Sequence, residues 1–291
     1  MSRPPLRTFG RTKARTLKPR QAALVETLLP HLAVPEEGEI DPDALFSAAA
    51  TPSRRGGGGE APLILEIGFG GGEHLIAQAV AHPESRLIGV EPFLNGVASC
   101  LRHIKEALLL PLDGGGVART ARDGGGVGED RGESPHEAKP QSSRASPPQS
   151  SLRDDSSPIE GEQVRKLNIR LHHGDARDVI ARLPDASLDL VYILFPDPWP
   201  KARHHKRRLI QREFLHELAR VLKPGGEVRF ATDWANYAAW TLEHFVRDPR
   251  FAWTAERAED WRKPWPGHVT TRYEQKRLGD CAPIWLRFTR A

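Results

Sequence analysis

The chain has 291 residues, of which 38% are hydrophobic and 27% are charged, and this length permits one large domain or two small ones. It lacks an apolar run of the roughly 18 residues that a membrane span requires, which excludes a transmembrane protein, and no apolar stretch follows the basic N-terminal residues, which argues against a secretory signal. Its two cysteines, Cys100 and Cys281, exclude a disulfide framework and a cysteine-rich zinc site, and they favour a cytoplasmic location. The net charge of +4 becomes informative only through its distribution along the chain.

The N-terminus is basic, and two stretches have low sequence complexity. Residues 1–20 carry seven Lys or Arg and no acid, which is typical of an arm that attracts polyanions or of a solvated tail. Residues 51–60 contain four successive glycines, and residues 111–163 contain glycine triplets, paired prolines and no aromatic side chain. Because such segments bury too little apolar area to offset their ordering entropy, we predict a basic arm and flexible lead-in over 1–60. One folded domain then spans 61–291, with a disordered insertion at about 111–163.

Outside these stretches, strand-like and helix-like segments alternate. Strands are predicted at 63–67, 86–91, 169–173, 188–195 and 228–232, and helices at 74–82, 95–110, 178–183 and 208–222. The turn residues at 223–226 are expected to end the last of these helices. Continuous apolar strands that alternate with helices indicate a parallel sheet covered on both faces. Residues 284–288 alternate apolar and polar side chains, which predicts a final antiparallel edge strand.

A glycine-rich turn joins the first predicted strand to the first helix of this domain. It contains Gly68, Gly70 and Gly72, and Glu66 lies two residues before the first glycine. Glycines let the backbone approach a ligand closely, although the same turn could be purely structural. A dinucleotide fingerprint would need glycine at position 73, which is a glutamate, and Glu66 would repel a pyrophosphate. The pattern resembles the S-adenosylmethionine site of Rossmann-like methyltransferases, whose ligand carries an ammonium and a sulfonium.

Acidic residues end the next two predicted strands. Glu91 ends the second strand, nineteen residues after Gly72, where a carboxylate can accept hydrogen bonds from both ribose hydroxyls. Asp175 follows the third strand, where it could contact the adenine edge, cap the next helix, or do both. Both residues are therefore candidates for binding the same ligand.

The most specific motif follows the fourth strand and covers residues 195–208. Prolines on both sides of Asp197 fix the loop, and Trp199 is placed to stack on a base. A dense run of cations with phosphate affinity comes next: Lys201, Arg203, Lys206, Arg207 and Arg208. A solvated surface is the alternative interpretation of this run. We expect it to contact RNA because it lies at the carboxyl edge of the sheet, where ligands bind in open α/β folds.

Together these motifs resemble those of the bacterial tRNA (guanine-N7-)-methyltransferases. The segments that carry the resemblance are 65–70, 89–91, 195–208, 230–234 and 271–275. The resemblance implies a Rossmann-like methyltransferase fold, with a mostly parallel seven-stranded sheet, an antiparallel edge strand and helices on both faces. It also implies transfer of a methyl group from S-adenosyl-L-methionine to N7 of a guanosine in the variable loop of tRNA.

The site residues follow from the motifs and from this resemblance. Those expected to bind the methyl donor are Glu66, Gly68, Gly70, Glu91, Asp175 and Asp197, and Asp197 is the position that the family treats as catalytic. Those expected to bind the substrate are Lys201, Asp233, Thr271, Arg272, Tyr273 and Glu274. The family commonly has Lys-Phe where this chain has Arg272 and Tyr273, and these changes keep the charge and the ring.

Guanine N7 carries a free in-plane lone pair, so alignment of the reactants matters more than a base, a nucleophile or a metal. We expect Asp197 and Asp233 to hold the guanine through its N1 and N2 hydrogens and to stabilise its developing positive charge, with Glu274 as a third candidate. The histidine pairs at 172–173 and 204–205 have no third ligand at useful spacing, so no metal is expected.

Two alternatives stay open. The first is an exocyclic-amine nucleic-acid methyltransferase, although such enzymes have a second proline where Trp199 stands here. The second is a tRNA-binding protein without catalysis, although the acids expected at the site are all present. tRNA is the expected partner, no membrane is expected, and the sequence does not distinguish a monomer from a homodimer.

Overall fold

The computed structural model describes residues 16–49, 60–109 and 161–291. Most of the basic arm, the glycine run and most of the insertion predicted at 111–163 lie outside these residues. The α-helices are α1 (Pro19–Thr27), α2 (Leu29–Leu32), α3 (Pro42–Leu45), α4 (Glu73–Ala81), α5 (Leu94–Ile104), α6 (Gly161–Arg165), α7 (Ala176–Arg182), α8 (Arg212–Val221), α9 (Ala235–Val246), α10 (Glu259–Arg262) and α11 (Arg272–Lys276). The strands are β1 (Leu63–Ile67), β2 (Arg86–Val90), β3 (Ile169–His172), β4 (Leu188–Leu194), β5 (Leu222–Thr232), β6 (Phe251–Trp253) and β7 (Ile284–Arg290). A π-helical turn, Lys105–Leu109, continues α5, and a 3₁₀-helix covers Ala202–Arg207.

These strands form one seven-stranded sheet in the order β3-β2-β1-β4-β5-β7-β6, and β1 to β5 are parallel. Successive side chains of β1 pack into different apolar clusters: Leu63 and Leu65 face α7 and α8, whereas Ile64 faces α4 and α5. Helices therefore cover both faces, which is why the central strands are continuously apolar. The predicted mostly parallel sheet with helices on both faces is confirmed.

The sheet has the seven strands that the resemblance implied, but one of them, β6, is not among the segments predicted individually. β7 pairs antiparallel with β5, as expected, but β6 pairs with its other edge and is the outermost strand. The prediction that residues 284–288 form the edge is therefore corrected. The three residues of β6 are too short to show an alternating pattern, and Phe251 is held by packing on Phe245 of α9.

Several predicted boundaries shift. The helix predicted to start at residue 208 starts at Arg212, because the 3₁₀-helix precedes it and Arg208 has an extended ψ of 144°. That helix ends at Val221, as the turn residues predicted, but β5 already begins at Leu222 and includes those residues, with Gly225 at a φ of +78°. The α6 helix covers 161–165, so the end of the predicted insertion at 163 falls inside a helix.

The lead-in predicted to be flexible is folded over much of its length. Its buried apolar side chains are Leu28, Leu32, Val34, Ile40 and Phe46. Arg86 on β2 binds Asp43 at 2.6 Å, and Arg170 on β3 donates to the carbonyl of Leu45 at 3.0 Å and lies 4.8 Å from the centre of the Phe46 ring. Residues 19–49 therefore belong to the domain. The sequence did not indicate this, because prolines interrupt the apolar patterns of this segment.

Among the described residues, no helix has the length and apolar character needed to cross a membrane.

Candidate active site

The predicted site residues meet at the carboxyl edge of the sheet. Because β1 to β5 are parallel, the segments that follow them all emerge on the same side. The chain proceeds from β1 outward through β2 to β3 and then returns to place β4 on the other side of β1. The end of β1 is thus the topological switch point, where open α/β sheets bind ligands.

The glycine turn after β1 forms an open cradle. Gly68 and Gly70 have φ values of +73° and +56°, and apart from each glycine and its two chain neighbours, no atom of the described residues lies within 4 Å of the position that a Cβ would take there. The Gly68 N–H donates to the Val90 carbonyl of β2 at 2.8 Å. A Cβ on Gly96 of α5 would lie 2.5 Å from the Gly70 carbonyl oxygen, so α5 supports the turn at van der Waals contact. The cradle is therefore held from one side and open on the other.

Glu91 at the end of β2 anchors this cradle. Its Oε2 accepts the Gly70 N–H at 2.8 Å and its Oε1 accepts the Phe93 N–H at 2.9 Å. Burial raises the pKa of Glu91, the two backbone hydrogen bonds oppose that rise, and the negative charge of Asp197 adds to it. The carboxylate therefore lies in the field of Asp197, and each of its oxygens has capacity for a second donor.

Glu66 is buried and paired with a histidine that the sequence analysis did not identify. Glu66 Oε2 lies 2.8 Å from Nδ1 of His74 in the first turn of α4. His74 is 1% exposed, and its Nε2 is buried with no hydrogen-bond partner within the described residues. His74 follows Glu66 by eight residues, across a turn that reverses the chain. This spacing is the only feature of the sequence that could have predicted the pair.

Asp175 caps α7. Its side chain accepts the Arg177 N–H at 3.0 Å and lies 3.2 Å from the Arg177 guanidinium. The capping alternative is thus confirmed. The adenine contact stays a prediction. The Gly174 N–H donates to the Glu91 carbonyl at 3.2 Å, so Asp175 lies beside the glycine cradle, where it can cap α7 and contact adenine as well.

The loop of Asp197 has a strained backbone. Phe195 and Trp199, on either side of Asp197, have positive φ values of 51° and 43°. A non-glycine residue in this region costs on the order of 1–3 kcal/mol, and such strain persists only where the surroundings hold it. The Phe195 ring lies 5.4 Å from that of Tyr273, and the Arg207 guanidinium lies 5.0 Å from the centre of the Trp199 ring. Neighbouring segments therefore fix the exposed carboxylate of Asp197.

Asp233 follows β5 and is buried. Its Oδ1 has no hydrogen-bond partner within the described part of the chain. Burial raises the pKa of the Tyr273 phenol, and so do the negative charges of Asp233 and Asp197 and a side-chain hydrogen bond with Asp233, while a hydrogen bond with Trp234 opposes the rise. Tyr273 therefore lies in the field of both carboxylates. Gly279 could not be another residue, because a Cβ would overlap the Asp233 carbonyl oxygen.

Residues 271–274 form the start of α11, where Thr271 and Glu274 make a capping box. Glu274 Oε2 accepts the Thr271 N–H at 2.8 Å, and Thr271 Oγ1 accepts the Glu274 N–H at 3.3 Å. Nε2 of His268, also missed by the sequence analysis, lies 3.0 and 3.1 Å from the two Glu274 oxygens. In this structure Glu274 thus shapes the turn that carries Arg272 and Tyr273, and its direct contact with guanine stays a prediction. The Arg272 guanidinium lies 4.0 Å from Glu73 of α4, so α11 reaches the helix behind the glycine cradle.

Replacing Glu274 by Gln is expected to lower the free energy of unfolding by about 1 kcal/mol at neutral pH, because Gln keeps an acceptor for the Thr271 N–H but loses the charge that strengthens the hydrogen bonds from His268 and Thr271. Burial raises the pKa of Glu274, but the hydrogen bonds from His268 and Thr271 outweigh burial and lower it below its ordinary value of 4.5. The stabilisation is therefore present above the ordinary value and is lost as the pH falls through the lowered pKa. Urea unfolding at several pH values measures it, and Glu26→Gln on the exposed face of α1 is the control. An effect of Glu274→Gln that persists at acidic pH contradicts this role.

The basic run is exposed over most of its length. Lys201, Arg203 and Lys206 are exposed around the 3₁₀-helix. The pKa of His204 is lowered by desolvation and by the positive charges of Arg207, Arg203 and the two lysines. These exposed cations therefore form a strongly positive surface beside Asp197.

Arg208 differs from the rest of the run, and the prediction that it contacts RNA does not fit its position. Its side chain is 1% exposed. It donates to the Pro198 carbonyl at 2.9 Å and to the Asn236 amide oxygen at 2.7 Å. It lies beneath the surface because the aromatic rings of α9 pack over it.

Across the described residues, no group of three His, Cys, Asp or Glu side chains could hold a metal ion.

This sheet order, with a carboxylate-anchored glycine cradle at its switch point, defines the class of Rossmann-like, S-adenosylmethionine-dependent methyltransferases. A family described as "Putative methyltransferase" matches residues 60–113 and 157–285. Three relatives carry the name tRNA (guanine-N(7)-)-methyltransferase. The relative from Caulobacter vibrioides (strain NA1000 / CB15N) is 46% identical, and the match covers 98% of this chain and 96% of the relative. The relative from Hyphomonas neptunium is 39% identical, and the match covers 97% of this chain and 99% of the relative. The relative from Rhodopseudomonas palustris (strain BisB5) is 40% identical, and the match covers 97% of this chain and 85% of the relative. The chain belongs to the tRNA (guanine-N(7)-)-methyltransferase family.

Proposed function

We propose that the protein transfers a methyl group from S-adenosylmethionine to N7 of a guanosine in the variable loop of tRNA, forming 7-methylguanosine in the cytoplasm. The family of the chain supports the reaction. The observation that carries the proposal in the structure is the buried Oδ1 of Asp233, which has no donor within the described residues. A buried carboxylate oxygen without a donor is costly, and the N–H groups of a bound guanine would satisfy it.

The cradle fits the cofactor. S-adenosylmethionine, when bound, supplies an electrophilic methyl group on a sulfonium. Glu66 would hold its ammonium and Glu91 its ribose hydroxyls, while Asp175 would contact the adenine edge. The open positions at Gly68 and Gly70 support this placement, because any side chain there would fill the cradle.

The chemistry requires alignment and charge stabilisation. Since guanine N7 attacks with its own lone pair, the site needs no general base. Asp197 and Asp233 would accept the N1 and N2 hydrogens of the base and face the positive charge that develops on it. Lys201, next to this loop and exposed, would contact the phosphate or ribose of the same nucleotide.

The experiment that tests the proposal is incubation of unmodified tRNA with labelled S-adenosylmethionine, followed by nucleoside analysis and mapping of the modified position. The expected product is 7-methylguanosine in the variable loop. A methyl group on an exocyclic amine would support the first alternative instead. tRNA binding with no transfer, and no affinity for S-adenosylmethionine, would support the second.

The exposed cations predict salt-dependent binding of tRNA. Replacing Arg203 and Lys206 together by Gln is expected to reduce the slope of log affinity against log salt by about 1.5, since each phosphate contact contributes roughly 0.7 to 0.9. The matched control is Arg247→Gln at the far end of α9, where the guanidinium is exposed and paired with Glu243 at 2.8 Å. Filter binding over a range of salt concentrations measures the slope. A slope equal to that of the wild type in the double variant contradicts the placement of RNA on this surface.

A further inference from the structure

Arg208 is a buried cation whose hydrogen-bond acceptors are neutral. Nε donates to the Pro198 carbonyl, Nη2 donates to the Asn236 side chain, and the guanidinium lies 4.8 Å and 5.2 Å from the ring centres of Tyr237 and Trp240. Desolvation lowers the pKa of Arg208 accordingly. Burying a guanidinium without a carboxylate partner is costly, so a requirement other than stability is needed to account for it.

The two acceptors of Arg208 belong to the two segments that carry the carboxylates of the site. Pro198 directly follows Asp197 in the loop after β4, and Asn236 lies in the first turn of α9, three residues after Asp233. One planar side chain thus connects both segments from beneath. The loop needs such support, because the backbone is strained at Phe195 and Trp199 on either side of Asp197.

We propose that Arg208 is a positioning residue that clamps the Asp197 loop to the start of α9 and so fixes the two carboxylates relative to each other. This inference rests on the proposed function of Asp197 and Asp233. A lysine cannot replace the clamp, because a single ammonium does not reach two acceptors in the fixed fork of a guanidinium or stack between two rings.

The chain offers a matched control in Arg170. It is also buried, it also donates to backbone carbonyls, and it also lies over an aromatic ring, that of Phe46, but it packs against the N-terminal segment. Arg208→Lys and Arg170→Lys are therefore compared at a temperature where circular dichroism shows both to be folded. A third variant, Asn236→Ala, removes one acceptor of the clamp from an exposed position and leaves the buried arginine in place.

Arg208→Lys is expected to lower kcat by about 100-fold, the effect of a misplacement of about 1 Å, while the KM for tRNA and the affinity for S-adenosylmethionine change by less than about threefold. Asn236→Ala is expected to lower kcat by about tenfold in the same pattern, because one of two hydrogen bonds remains. Arg170→Lys is expected to keep the kcat of the wild type. Faster hydrogen exchange at the amides of Phe195 and His204, which donate to the carbonyls of Ala231 and Lys201, in Arg208→Lys and not in Arg170→Lys reports the loosened loop independently of activity.

Two results overturn the inference. If the KM for tRNA rises and kcat is unchanged, Arg208 contacts RNA after all; if Arg208→Lys and Arg170→Lys lose kcat equally, its role is only to stabilise the fold. Failure of the proposed function is seen separately in the wild type, as a product other than 7-methylguanosine or as no transfer. The hydrogen-exchange comparison still decides the role of Arg208 in that case.

Discussion

Replacing Asp197 by Ala is expected to lower kcat by about 10²–10³, the usual loss when one preorganised electrostatic group is removed from a reacting centre. The carboxylate lies in a loop whose backbone is strained on both sides, so its position is imposed by the fold. Its negative charge and that of Asp233 both raise the pKa of the Tyr273 phenol, which supports our proposal that the two carboxylates share one site. Single-turnover transfer of a labelled methyl group to tRNA, with S-adenosylmethionine saturating, measures the effect on the chemical step.

Asp197→Asn separates charge from shape, since it keeps the size and one acceptor. It is expected to lose most of the same activity, because the asparagine amide does not stabilise a positive charge. The matched control is Asp185→Asn, which removes an exposed carboxylate before β4, at the other end of the strand, where it pairs with Arg220. Near-normal transfer by Asp197→Ala at saturating tRNA would remove Asp197 from the mechanism.

Replacing Glu91 by Ala is expected to weaken S-adenosylmethionine binding by about 10²-fold, since each charge-assisted hydrogen bond contributes roughly 1.5–3 kcal/mol and tenfold in affinity corresponds to about 1.4 kcal/mol. The loss combines the proposed ribose contacts with the two backbone hydrogen bonds that hold the Gly70 and Phe93 amides. Isothermal titration calorimetry measures the change in Kd. Glu84→Gln, before the amino end of β2, is the control for loss of a carboxylate near the same strand.

The raised pKa of Glu91 adds a pH dependence to this prediction. Because burial raises the pKa above its ordinary value of 4.5, the carboxylate takes up its proton at a higher pH than an exposed glutamate does. Affinity for S-adenosylmethionine is therefore present above the raised pKa and falls as the pH drops through it. Glu91→Gln is expected to bind weakly at every pH, with this dependence removed. An equal pH dependence in Glu91→Gln would show that another group titrates.

The sheet and the cradle could be predicted because their signals are local. A run such as 63–67, apolar at four of five positions and followed by glycines, encodes a buried strand and a turn without information from elsewhere in the chain. The same holds for Glu91 and Asp197, since a residue at the end of a parallel strand reaches the ligand edge whatever the rest of the chain does. The chain order of these segments therefore predicted most of the candidate site.

What could not be predicted depends on contacts between distant segments. Arg208 ends a basic run, and the sequence does not show that Tyr237 and Trp240, about thirty residues later, cover it. The absence of space at Gly279 likewise exists only once the segment after α11 lies against Asp233 at the end of β5. Charge patterns alone do not distinguish a solvated cation from a buried one.

If carboxylates hold the guanine through its N1 and N2 hydrogens, replacing the target guanosine by inosine removes one of these two contacts. Inosine keeps N7 and N1–H but lacks the N2 amino group. Inosine is therefore expected to lower the transfer rate of the wild type by about tenfold, the loss of one hydrogen bond to a charged group. In Asp233→Asn or Asp197→Asn, whichever residue accepts from N2, inosine is expected to cause little further loss. Equal losses on inosine in the wild type and in both variants would show that neither Asp197 nor Asp233 accepts the N2 hydrogen of the guanine.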